Sequence, residues 1–217
     1  MLKLEAKTCL IKVASAVLLV YIASFAMVSR VNAQTTVVSI LPSTVTIDNI
    51  GQTVKLDLNI TGVTNLYGYE IKIWYLNSIV NATEVIRPSG HFLEPVLGPD
   101  NYFVAKWEIK NDYNTTHGRI WIAYTLLSPE PAKNGSGILA RITFKGLSIG
   151  QTPIILNNQP GASGPVKLAD NSAQPIPHVA QDGSVVVIPE FSSAVIIVTA
   201  LIIISAAYII KLKRPRL

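Results

Sequence analysis

Between Gln34 and Ile188 apolar residues recur at every second position in short runs, and no stretch there carries a convincing helical period. In VKLDLNI, Val54, Leu56, Leu58 and Ile60 point one way and Lys55, Asp57 and Asn59 the other, because successive side chains of a strand leave on opposite faces. The same alternation turns Ile138, Ala140, Ile142 and Phe144 inward in ILARITFKG, and Ile120, Ile122, Tyr124 and Leu126 inward in RIWIAYTL. In FVAKWEIK it turns Ala105, Trp107 and Ile109 inward and Lys106, Glu108 and Lys110 outward; SVVVI shows it more weakly. Gly, Pro, Asn and Asp separate the runs. The pattern predicts an all-β fold, a β-sandwich or jelly roll of about nine strands. Residues 157–183 are mostly turn chemistry with one short apolar piece at Val166–Leu168, which predicts a long surface excursion before the last strand.

The chain as a whole is 49% hydrophobic with a mean hydropathy of +0.40, too apolar for an ordinary soluble domain, and the excess sits at its ends. Lys3, Lys7 and Lys12 precede an uncharged run from Val13 to Val28, and Val31 and Ala33 suit a small-residue cleavage site. Residues 1–33 therefore read as a signal peptide, with an uncleaved N-terminal anchor as the alternative. Phe191–Ile210 carries no charge and as a helix would be about 30 Å long, enough to span a bilayer. Lys211, Lys213, Arg214 and Arg216 follow it and fit a cytoplasmic flank. The expected organisation is thus a signal at 1–33, a β-sandwich at 34–188, a short junction and transmembrane helix at 189–210, and a basic tail at 211–217. The domain would stand on the extracytoplasmic side of a cell membrane.

The formal charge of +5 belongs to these ends. Between Gln34 and Glu190 ten basic residues stand against twelve acidic ones, a balance of 10 − 12 = −2, so no nucleic-acid partner is expected. The only cysteine, Cys9, lies in the signal, which leaves the mature domain without a disulfide. Four N-x-S/T sites, at Asn59, Asn81, Asn114 and Asn134, all fall in the exported part and agree with a glycosylated surface.

Little else carries chemistry. His91, His117 and His178 are scattered over loop-like regions without a second ligand at metal spacing, and they read as solvated loop residues. Nothing resembles a nucleophile elbow, a zinc helix or a phosphate loop, so neither an enzyme, a metal site nor a cofactor is expected.

The succession GQTVKLDLNITGV, NLYGYEIKIWY, SGHFL, GRIWIAY, GSGILARITFKG and VKLADNSAQPIPHVAQDGSVVVI resembles the cohesin family, the receptor modules of cellulosome scaffolds, over about Val37 to Ile188. The most specific pieces are G-x-L-A-x-I-x-F, Gly137 to Phe144, and D-G-S-V-x-V, Asp182 to Val187. The resemblance implies a nine-stranded jelly roll related to carbohydrate-binding modules and calcium-independent capture of a dockerin, often appended to a polysaccharide-degrading enzyme. Where the family usually has Tyr-Asp, Tyr75 is followed here by Leu76 and Asn77. IPEF, the apolar segment and KLKRPRL also look like the sorting tails of archaeal surface proteins.

Along Tyr67 to Tyr75, parity assigns Tyr67, Tyr69, Ile71, Ile73 and Tyr75 to the core and leaves Gly68, Glu70, Lys72 and Trp74 outward. On the neighbouring strand Trp121 is outward too. By the resemblance, Gly68, Glu70, Lys72, Trp74 and Trp121 form the partner face, and exposed tryptophans among charges suit an interface hot spot. Asn59 falls on the opposite sheet. Three functions remain open: capture of a dockerin-like or other surface protein, a carbohydrate-binding module with Trp74 and Trp121 stacked on polysaccharide, and a structural adhesion domain.

Overall fold

The computed structural model describes residues 35–156, 166–189, 198 and 200–205. Twelve strands stand among them: β1 (Thr36–Leu41), β2 (Thr44–Ile47), β3 (Thr53–Leu66), β4 (Gly68–Leu76), β5 (Val80–Ile86), β6 (Tyr102–Lys110), β7 (His117–Leu126), β8 (Lys133–Gly146), β9 (Gly150–Ile154), β10 (Val166–Ala169), β11 (His178–Gln181) and β12 (Gly183–Val187). They form a five-stranded sheet in the order β11-β1-β3-β8-β5, a four-stranded sheet β10-β4-β7-β6 and a three-stranded sheet β2-β12-β9. The inward sets foreseen from alternation meet between the sheets. Leu56, Leu58 and Ile60 of β3, Ile71 and Ile73 of β4, and Ile120 and Ile122 of β7 are all fully buried. Burying such side chains contributes roughly 1.5–3 kcal/mol each and is the main force holding the sandwich shut.

The first and last strands close the roll together. β1 runs parallel to β11 and β2 parallel to β12, so each end of the domain pairs with the other in two different sheets. The break between β11 and β12 falls on residues that made the ending distinctive. Asp182 accepts the Leu156 N–H at 2.7 Å, and a Cβ on Gly183 would lie 2.7 Å from Ile40 Cγ2. Glycine is what allows the C-terminal strand to cross the N-terminal one there.

Three local expectations are corrected. Counting each broken end strand once, the described residues make ten passes where about nine were expected, and residues 166–181 are not a mere excursion: β10 pairs antiparallel with β4 and β11 parallel with β1. Each is four residues long, too short for its alternation to declare a strand by itself, and owes its form to a neighbouring edge. Where Leu58 and Asn59 of β3 pair with Ala140 and Ile138 of β8 the register slips by the one residue between, so Leu139 is fully buried where parity pointed it outward, and Ile138 is only partly buried. In β6 a slip between Val104 and Lys106 leaves Ala105 exposed, while Trp107 and Ile109 pack on the core as foreseen.

Residues 200–205 are helical, and among the described residues no helix is long and apolar enough to cross a membrane. The expected signal at 1–33, most of the expected transmembrane helix and the tail at 211–217 lie outside the described residues.

Candidate functional site

The outer face of the β10-β4-β7-β6 sheet brings the candidate residues into ordered rows. Lys167 stands opposite Glu70, Glu70 opposite Ala123, and Ala123 opposite Lys106. In the next row Lys72 faces Trp121 and Trp121 faces Glu108; in the third, Trp74 faces Arg119 and Arg119 faces Lys110. Alternation alone makes this face charged, since the apolar set of each strand is spent on the core.

Trp121 is its centre. The half-buried indole donates Nε1–H to Glu70 Oε1 at 3.1 Å. Around its ring stand Lys72 Nζ, Lys106 Nζ and the Arg119 guanidinium, each 5.0 Å from the centroid. Cations so placed are attracted by the negative ring face, by about 0.5–1 kcal/mol each where water still reaches them. Glu70 is bound from two sides, by Lys167 at 3.0 Å and Lys72 at 3.4 Å. Partial burial works against its charge, but these lysines prevail and hold the carboxyl below the usual carboxylate range. Glu108 is likewise bracketed by Lys110 at 3.2 Å and Arg119 at 3.5 Å. Beside the charged rows lies an open trough of about 310 Å³ whose lining includes Gly68, Ala105, Ala123, Ala169, Tyr124 and Lys167. Gly68, expected outward, is buried, and a Cβ there would meet Thr125 Oγ1 at 3.0 Å and the Tyr124 carbonyl at 3.2 Å, so a larger residue requires Thr125 to give way.

Trp74 does not belong to the exposed face. Parity put it outward and exposed, yet it is only 3% exposed. The β6–β7 loop folds over it, with Tyr113 meeting the indole edge-on at 4.8 Å and His117 at 6.3 Å. Its backbone is also tied to Ile155, through N–H···O bonds of 3.1 and 2.8 Å, just beyond β9. A sugar platform built from Trp74 and Trp121 together is thereby excluded, since one of the two indoles is covered.

His91 is corrected as well. It is buried, its ring edge-on to Tyr124 at 5.5 Å, and burial, with Arg87 nearby, lowers its pKa. It borders a recess of about 720 Å³ beside the open edges of β5 and β6, where Arg87 lies over the rings of Tyr102, at 4.3 Å, and Tyr124, at 5.1 Å. That stack and the Trp107 Nε1–H to Val85 carbonyl bond of 2.8 Å close this side of the sandwich.

Alternation gave no warning of Glu130. It is buried and accepts the N–H groups of Val96, Leu97 and Gly98 and the Asn101 amide at 2.7–3.1 Å, pinning the segment before β6. Burial opposes its ionisation, and these donors overcome that and lower its pKa. A Pro-flanked glutamate was the only signal, in SPEPAK.

Of the acceptor asparagines, Asn59 lies on β3 in the five-stranded sheet, its amide bonded to Thr61 Oγ1 at 3.0 Å, and Asn81 is half-buried on β5. Asn114 and Asn134 are exposed, but their Oδ1 atoms accept backbone N–H groups from His117 and Asn65, both at 2.7 Å. Among the described residues no three His, Cys, Asp or Glu gather as a metal site.

No protein-family model matches the chain, and no curated protein sequence matches it. Solved structures do. CaCohA2 from Clostridium acetobutylicum, solved in solution, is 24% identical with a TM-score of 0.52, covering 76% of this chain and 96% of its own. The type I cohesin–dockerin complex Coh-OlpA-Doc918 from Clostridium thermocellum aligns at 13% identity and a TM-score of 0.51, over 71% of this chain and 100% of the other. The seventh ScaB type I cohesin from Pseudobacteroides cellulosolvens gives 14% and 0.50, over 73% and 96%. At these identities the likeness carries the architecture alone: the described strands adopt the sandwich fold of cohesin domains.

Proposed function

We propose that the chain is a membrane-anchored, extracytoplasmic binding module, not an enzyme, that captures a dockerin-type or other surface protein on the outer face of β10-β4-β7-β6. The observation that carries this reading is Trp121, a large ring held half-exposed on an inner strand of the sheet by Glu70 and three cations. Such an aromatic, fixed before the partner arrives and rimmed by charge, is the composition of a binding hot spot. The fold supports the partner class, since a similar cohesin was solved as a cohesin–dockerin complex. The leader and the apolar C-terminal segment supply export and anchoring, and N-linked glycans on Asn59 would leave this face clear. A link to polysaccharide breakdown follows if the captured protein carries such an enzyme.

The test is retention of purified dockerin modules by the immobilised full chain, beside a glycan array. Retention of a dockerin that drops roughly 30-fold or more in Trp121→Ala, with the melting temperature preserved, is the expected result. A glycan bound without protein, or a dockerin held equally well by Trp121→Ala, would overturn it.

A further inference from the structure

The charges of the domain are segregated. Strands β4, β6, β7 and β10 contain five cations, Lys72, Lys106, Lys110, Arg119 and Lys167, and two carboxylates, Glu70 and Glu108, a balance of 5 − 2 = +3. The remainder of Gln34 to Glu190 holds the other five basic and ten acidic residues, 5 − 10 = −5. A domain that is mildly acidic overall thus turns one basic sheet outward and is acidic elsewhere. Lys106, Lys110 and Lys167 are exposed, and Lys106 has no carboxylate partner among the described residues.

We infer that the occupant of this face is an acidic polypeptide surface: a partner whose Asp and Glu side chains meet Lys106, Lys110 and Lys167 while one protruding side chain enters the Gly68–Ala123 trough. This rests on the reading of the face as a protein-docking site and adds the partner's chemistry to it. Two arrangements on the face favour protein over another polyanion. Glu70 and Glu108 stand inside the cationic rows, where they would oppose a continuous phosphate or sulfate track but can accept N–H donors of a polypeptide. The trough, where Gly68 and three alanines meet Tyr69, Tyr124 and Thr125 beside Glu70 and Lys167, has room for a side chain set among charges. The acidic remainder of the domain repels the same partner elsewhere, so encounter is steered to one face.

The full chain is titrated with two synthetic helical peptides of equal length, one Glu/Ala-rich and one Lys/Ala-rich, and with a panel of dockerin modules ranked by the charge of their surface. Duplex DNA and anionic vesicles serve as other polyanions. The expected result is preferential binding of the acidic peptide and of acidic dockerins, weakening on the order of tenfold between about 0.05 and 0.5 M NaCl. In the triple variant Lys106→Glu, Lys110→Glu, Lys167→Glu that preference passes to the Lys/Ala-rich peptide, while the melting temperature stays within a few degrees. Dockerin binding without regard to charge would overturn the inference and leave protein capture standing. Acidic-peptide binding with no dockerin retained would uphold the inference and remove the dockerin. Equal binding of DNA or vesicles would overturn it in favour of a general polyanion site. Self-association abolished by the triple variant would give the face to a second copy, and no binding at all would overturn both readings.

Discussion

The indole of Trp121 on β7 donates its N–H to the Glu70 carboxylate on β4 at 3.1 Å, and that carboxylate is gripped at the same time by Lys72 and Lys167. One strand pair therefore fixes the ring, and two lysines fix the group that fixes it. Trp121→Phe keeps a ring under the three cations but loses the donor, so partner affinity is expected to fall by roughly 1 kcal/mol, against about 2 kcal/mol or more for Trp121→Ala. Titration calorimetry with a retained partner checks the order, and equal losses would show that the hydrogen bond does not position the ring.

Trp74 is expected to behave as a structural residue. Trp74→Ala removes the side chain on which Tyr113 rests and opens a cavity under the β6–β7 loop. The expected cost is about 3–5 kcal/mol in denaturant unfolding, with partner affinity per folded molecule unchanged.

Gly118 is packed against the ring of Tyr75, which is itself fully buried and bonded through its hydroxyl to Asn111. Any side chain at 118 displaces that ring. Gly118→Ala is expected to destabilise the domain by about 3 kcal/mol, and a melting curve within a degree of the parent would refute the contact.

Acid should weaken the fold through two groups of opposite chemistry. The folded-state pKa of His91 lies below its ordinary value, so the unfolded chain takes up a proton that the folded chain resists, and stability falls as pH drops below about 6.5. Glu130 also has a lowered folded-state pKa; its contribution is complete above the ordinary carboxylate range and is lost as pH falls through the folded value. His91→Asn is expected to flatten the decline that sets in below about pH 6.5, and Glu130→Gln the decline through and below the ordinary carboxylate range, both read from melting temperature against pH.

Period-two alternation was enough to place the core sides of β3, β4 and β7, because a long strand buried on one face must repeat its choice many times. It failed where something outside the strand decides. Leu139 and Ala105 sit at register slips, which change parity without leaving a mark in composition. Trp74 is on the side foreseen, yet a loop more than thirty residues later covers it. β10 and β11 exist because neighbouring edges are open to them, and Glu130 because three amides converge on it. The charge segregation was present in the residues throughout, but it becomes a property of one face only when β10 is laid beside β4 and Lys167 beside Glu70.

The three-stranded sheet has its latest member in the middle: β12 lies between β2 and β9. A ribosome delivers that strand last, so until Val187 has emerged the nascent chain carries two unfilled edges, one from its beginning and one from near its end. The domain is therefore finished by insertion rather than by addition, and a product truncated ahead of Gly183 would offer that vacant slot to a strand from any neighbouring molecule.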